Sequence, residues 1–127
     1  MQKRILREDR IRQTSNRFSF VPHRFLLEGF FKSLTPNELV LYFFLTLAAD
    51  KNGISYYGQK SICDHIQREK AAYEKALTGL VVKDLVLFDG VFFQVLELPS
   101  APVFVSQISR KGIRDLCSGI GNGGENA

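Results

Sequence analysis

Apolar positions in this chain follow two periods, one near 3.6 residues and one of two, and the switches between them mark its elements. Residues 1–17 carry few large apolar side chains and read as a basic arm without a structure of its own. Phe18-Ser-Phe-Val21 alternates like a short strand and stops at Pro22. From His23 to Lys32 the pattern turns helical, with Phe25, Leu26 and Phe30 able to share a face. Thr35-Pro36-Asn37-Glu38 is the clearest helix start. Thr35 can cap it, Pro36 suits the first turn, and Glu38 can reach back to the Thr35 amide. The helix runs to about Ala49 and is apolar nearly all round, which predicts a central, buried helix.

Asp50-Lys-Asn-Gly53 is the turn that ends it, and Ile54-Ser-Tyr-Tyr57 reads as a short strand. Gly58 to Ile66 is a second helix, with Ile62, Cys63 and Ile66 on its inner side. After Gln67-Arg68 a third helix runs to about Lys83, turning Tyr73, Ala76, Leu77 and Leu80 inward. On a 100°-per-residue wheel its outward residues are then Ala71, Ala72, Lys75, Thr78, Gly79 and Val82, with Lys70 and Glu74 on one flank.

Leu85 to Leu98 reads as a hairpin around Asp89-Gly90. A two-residue loop pairs Phe88 with Val91, Leu87 with Phe92 and Val86 with Phe93. One face then holds Leu85, Leu87, Phe92, Leu96 and Leu98, and the other holds Val86, Phe88, Val91, Phe93 and Val95. Both are apolar and only one can lie on the helices, so the second needs a cover. Phe18–Val21, Val103–Val105 or a second copy of the chain are the candidates. The face of Val86, Phe88, Val91, Phe93 and Val95 is the expected dimer or partner interface.

The order helix, short strand, helix, turn, helix, hairpin carries a resemblance. The motifs are Ala48-Ala-Asp-Lys-Asn-Gly53, Ser55-Tyr-Tyr57, Lys60-Ser-Ile-Cys-Asp-His-Ile66, Ala76-Leu-Thr-Gly-Leu80 and Lys83-Asp-Leu-Val86. From Thr35 to about Leu98, half the chain, the sequence resembles the winged helix-turn-helix domains of phage and plasmid replication initiators and small regulators of bacterial mobile elements. That resemblance implies an α+β fold, a three-helix core plus β-hairpin. It would occupy residues 18–108, with a tail at 109–127 that is disordered from about residue 119. It also implies that Glu69–Lys83 enters a DNA major groove. Gln67 departs from the pattern, which prefers a turn glycine there, and Arg68 stands where a small apolar residue usually sits.

Charge sharpens this reading. Residues 1–24 hold seven cations against two carboxylates, whereas residues 25–100 hold seven against nine. Duplex affinity comes largely from neutralised phosphates, so the arm is its expected source. The candidate DNA-binding residues are Lys3, Arg4, Arg7, Arg10 and Arg12 of the arm, with Arg68, Lys70, Ala71, Lys75 and Thr78 beside or on the third helix. Double-stranded DNA is the expected partner, and a homodimer would bring two such surfaces together. The competing expectation is a protein-interaction module that keeps the fold without touching DNA.

Other chemistry is sparse. Cys63 and Cys117 fit no metal spacing, and His23 and His65 lack a nucleophile or carboxylate at a telling distance. Gly119-Ile-Gly-Asn-Gly-Gly124 has the glycine spacing of a dinucleotide fingerprint, but only three residues follow it. The expectation is a non-enzymatic protein with no cofactor, metal or small-molecule ligand. Its longest apolar run, Leu39 to Ala49 with Thr46 inside it, is shorter than the ~20 residues of a membrane span. The charged start lacks a signal-peptide core, so a cytoplasmic location is expected.

Overall fold

A single helix over His23–Lys32 is not what forms. The segment makes two one-turn helices, α1 (Arg24–Leu27) and α2 (Phe30–Ser33). The break falls at Gly29, whose φ of +90° places it in the left-handed region that favours glycine. Phe25 and Phe30 turn inward and stack, with ring centroids 6.3 Å apart, whereas Leu26 does not join their face and is exposed. The computed structural model describes residues 2–13 and 17–104.

The third helix, α3 (Pro36–Ala48), begins as its sequence requires. Thr35 Oγ1 accepts from the Glu38 amide at 3.2 Å, and Glu38 Oε1 accepts from the Thr35 amide at 3.0 Å. Together these satisfy two backbone donors that a bare helix end leaves open. Leu41 and Leu45 are fully buried. The helix is not covered all round, because Phe43 and Leu47 remain exposed.

A two-residue strand, β1 (Ile54–Ser55), then leads to α4 (Gln59–Ile66) and α5 (Lys70–Val82). At the end of α5, Leu85 N–H donates to Leu80 O and Asp84 N–H to Val81 O, each at 3.0 Å. This pairing, with Asp84 left-handed, closes the helix and places Leu85 against Leu80 in the core. Strands β2 (Val86–Phe88) and β3 (Phe93–Val95) follow, giving an antiparallel sheet of order β1-β3-β2 among the described residues. The described residues are α+β, with five α-helices and a three-stranded antiparallel sheet.

The hairpin differs from its expected register by two residues. Phe88 pairs with Phe93, Leu87 with Gln94 and Val86 with Val95. The cause is the Asp89 carboxylate, whose Oδ1 accepts from both the Val91 and Phe92 amides at 2.8 Å. That bond folds the chain after Asp89, so Gly90-Val91 rather than Asp89-Gly90 forms the tip, with Gly90 at φ +99°. Moving the tip by one residue shifts every pair by two and leaves each side chain on its original face.

Those faces are used the other way round from expectation. Val86 and Phe93 are 0% and 1% exposed, and Phe88 and Val95 pack against the same core. Within the strands, the face expected to meet a partner is therefore the one laid on the helices, and Val91, at the tip, alone of that set is exposed. Neither proposed covering strand forms among the described residues. Phe18–Val21 is irregular, with Phe18 and Phe20 exposed, and Val103–Phe104 is not a strand. Val105 and the rest of the tail, including the 119–124 glycine pattern and Cys117, lie outside the described residues.

Candidate nucleic-acid interface

The geometry of α5 decides which side chains face away from the protein. Tyr73, Ala76 and Leu80 are buried against α3 and α4, while Lys70, Ala71, Glu74 and Lys75 are exposed and Thr78 is half-exposed beside them. Helical spacing puts these five on one arc, with Glu74 between the two lysines rather than off to a flank. Neither lysine forms an ion pair with another described residue. Gly79, expected to face outward, instead lies against Glu38, where a Cβ would collide with the carboxylate.

Three residues, Gln67 to Glu69, join α4 to α5. Gln67 takes the left-handed conformation (φ 59°, ψ 48°) that a turn glycine would adopt, at a cost of about 1 kcal/mol for a residue with a Cβ. The turn is therefore tight, not lengthened. Arg68 does not reach outward as a phosphate ligand. Its Nε donates to Asn37 Oδ1 at 2.7 Å, and its Nη1 donates to the carbonyls of Gln67 and Ile66 at 3.1 and 3.3 Å. Arg68 thus ties the α4–α5 turn to the first turn of α3.

In the arm, Lys3, Arg4, Arg7, Arg10 and Arg12 are exposed. Arg7 is engaged locally, donating to Asp9 at 2.7 Å and holding that carboxyl below its ordinary range. A single 3-10 turn over Glu8–Arg10 is the only regular structure among the described arm residues.

Sequence pattern does not reveal the buried ion pair. Lys83, at the end of α5, donates from Nζ to Glu38 Oε1 and to Ser33 O, both at 2.6 Å, and its side chain is only 2% exposed. Glu38 is the α3 capping carboxylate, so one side chain both caps a helix and holds a buried ammonium. The two residues lie 45 positions apart. The only local hint is a lysine inside an otherwise inward-facing helical pattern. This pair consumes one cation of the body, and Arg24, the last cation of residues 1–24, is bonded to Glu28 at 2.9 Å.

The outer face of the sheet and the hairpin tip carry Leu87, Val91 and Phe92, each about half exposed, with no charge among them. Tyr56, 70% exposed, lies 5.6 Å from the Phe92 ring. Phe44, Tyr57 and His65 form an aromatic cluster, with His65 Nδ1 2.8 Å from Ser61 O. His23 is exposed at the start of α1. Cys63 is half-buried, and desolvation pushes its thiol above the ordinary value, opposite to what a reactive thiolate needs.

Among the described residues, no group of three or more His, Cys, Asp or Glu side chains is placed to hold a metal. None of the described helices is long and apolar enough to cross a membrane. No protein-family model, curated protein or solved structure matches this chain.

Proposed function

We propose that this chain is a non-enzymatic DNA-binding protein of winged helix-turn-helix type, a regulator or replication-associated factor of a bacterial mobile element. In this reading α4 and α5 are the helix-turn-helix, and the β2–β3 hairpin is the wing. The observation that carries it is the free outward arc of α5, with Lys70, Ala71, Lys75 and Thr78 on it, in a chain whose β2–β3 hairpin follows α5 and pairs with the earlier β1 in a β1-β3-β2 sheet. Alanine and threonine methyls suit thymine methyl contacts, and the lysines suit base acceptors or phosphate. The arm supplies most of the phosphate attraction, because Glu69 and Glu74 offset the two α5 lysines. Arg68 is no longer a candidate phosphate ligand and becomes a positioning residue for the α4–α5 turn.

A second reading has its own observation. The uncharged outer sheet face suits contact with another protein, which makes this chain an interaction module that does not bind DNA.

Duplex affinity measured by fluorescence anisotropy against salt separates the two. The proposal expects a steep negative slope of log K on log salt, reduced by roughly 0.9 for each phosphate that is no longer neutralised. Removing residues 1–17 flattens the slope, and Lys70→Glu with Lys75→Glu, both exposed, weakens what remains. Absence of binding by the full chain at low salt overturns the DNA reading.

A further inference from the structure

The only charged residue of α3 is Glu38, and it is buried. The open side of this helix is therefore free of charge. On a 100°-per-residue wheel Pro36, Leu39, Val40, Phe43 and Leu47 share an arc of about 100°. Phe43 and Leu47 are 63% and 57% exposed, Pro36 is exposed, and Leu39 and Val40 are half-buried. We infer that this arc is the surface on which a second copy of the chain packs, α3 against α3.

The segment before α1 widens the face. Phe18 and Phe20, 66% and 74% exposed, line an open groove of about 1240 Å³ together with Tyr42, Thr46 and Leu47 of α3. Leu47 thus belongs both to the arc and to the groove, and the apolar surface runs on from one to the other.

Size, charge and spacing favour a second copy as the occupant. With about 150–250 Å² for a whole aromatic side chain, the open parts of Phe18, Phe20, Phe43 and Leu47, with the margins of Pro36, Leu39 and Val40, come to roughly 600 Å². That stands at the top of the ~300–600 Å² that monomers leave exposed in one patch. It also supplies the apolar share of the ~800 Å² that each partner gives to a standard interface. A twofold contact lays a patch on its own copy, so any charge in it meets its like; this arc has none. Finally, Pro36, Val40, Phe43 and Leu47 follow the four-three-four spacing of a seam between paired helices. A twofold axis between positions 41 and 42 makes the helices antiparallel and sets Phe43 opposite Val40 of the second copy, and Leu47 opposite its Pro36.

The contact is independent of the DNA reading. Glu38, which meets α5 at Gly79, lies on the side of α3 away from this arc. Pairing through α3 therefore leaves the outward arc of α5 open in both copies.

Sedimentation velocity and light scattering on the full chain test the pairing. At about 100 µM, well above the micromolar-to-picomolar range of interfaces this size, the expected mass is twice the 14.4 kDa of one chain. Phe43→Glu and Leu47→Glu, at exposed positions where far-UV circular dichroism should stay native, are each expected to weaken association at least ten-fold. In the antiparallel pair the two copies of residue 43 stand only ~4.5 Å apart along the axis, so mixing Phe43→Glu chains with Phe43→Lys chains should restore the doubled mass. Leu87→Glu, on the outer face of the sheet, should leave the mass doubled. A full chain that remains at the single-chain mass overturns the proposal, as does a dimer that both α3 variants leave intact. Dissociation by Leu87→Glu instead assigns the contact to the sheet face, and a mixture that stays monomeric removes the twofold packing of α3 on itself.

Discussion

Replacing Lys83 with methionine keeps most of the side chain's volume and removes only its charge. In the native protein the ammonium lies 2.6 Å from both Glu38 Oε1 and Ser33 O, and the two charged side chains are 2% and 8% exposed. After Lys83→Met, Glu38 retains the Thr35 amide as its hydrogen-bond donor and has no counter-charge. Removing one member of such a pair costs about 3–5 kcal/mol, because the remaining charge is neither solvated nor matched. Against a total stability of roughly 5–15 kcal/mol that is a large share, and it lowers Tm by at least ~12 °C in a domain of this size. Glu38→Gln in the same background removes the orphaned charge, while its amide oxygen still accepts from Thr35. The double variant should therefore be more stable than the sum of the two single changes predicts, by about 2–3 kcal/mol. Urea denaturation of the four proteins at 25 °C closes the cycle. Additivity within ~0.5 kcal/mol would refute the reasoning, and so would a single-variant loss under about 1 kcal/mol.

Two further outcomes follow from the same region. Gly79→Ala gains about 1 kcal/mol of helix propensity, yet its Cβ would stand on the Glu38 carboxylate, 2.7 Å from Cδ. Overpacking of that kind costs ~1–3 kcal/mol, so the variant should be less stable by urea denaturation, and a gain in stability would contradict the packing described. Burial pushes the Tyr73 phenol up to about 12 and raises that of Tyr42 as well. Above about pH 10 the unfolded chain releases these protons before the folded one does, so stability should fall as pH rises from there toward 12. Tyr73→Phe should flatten that decline, and an identical decline in both proteins would remove Tyr73 as its source.

What can be read from the sequence is what neighbouring residues decide among themselves. The α3 start needs only Thr35, Pro36 and Glu38, and the inward stripe of α5 needs only helical spacing; both form as expected. The hairpin's existence is equally local, but its tip is not. Asp89 favours a tight turn in two registers, and its own carboxylate selects the later one. Which sheet face turns inward is illegible, since both are apolar and the choice depends on packing against distant helices. Glu38 and Lys83 read as a cap and a helix-end cation, because nothing in either neighbourhood encodes a partner 45 positions away. Arg68 reads as a DNA ligand for the same reason, its partner Asn37 being 31 positions upstream.

The helix proposed to face DNA is bracketed by two residues that are unusual where they stand. Gln67 before α5 and Asp84 after it both hold positive φ, 59° and 65°, without being glycine. A glycine substitution at either position would relieve backbone strain on the order of 1 kcal/mol. The chain therefore keeps an untapped reserve of stability at the two ends of α5, and neither position belongs to the helix's outward face. Mutational robustness is the consequence: changes on the α5 surface that cost stability can be offset from its ends, which leaves that surface free to diverge in what it recognises.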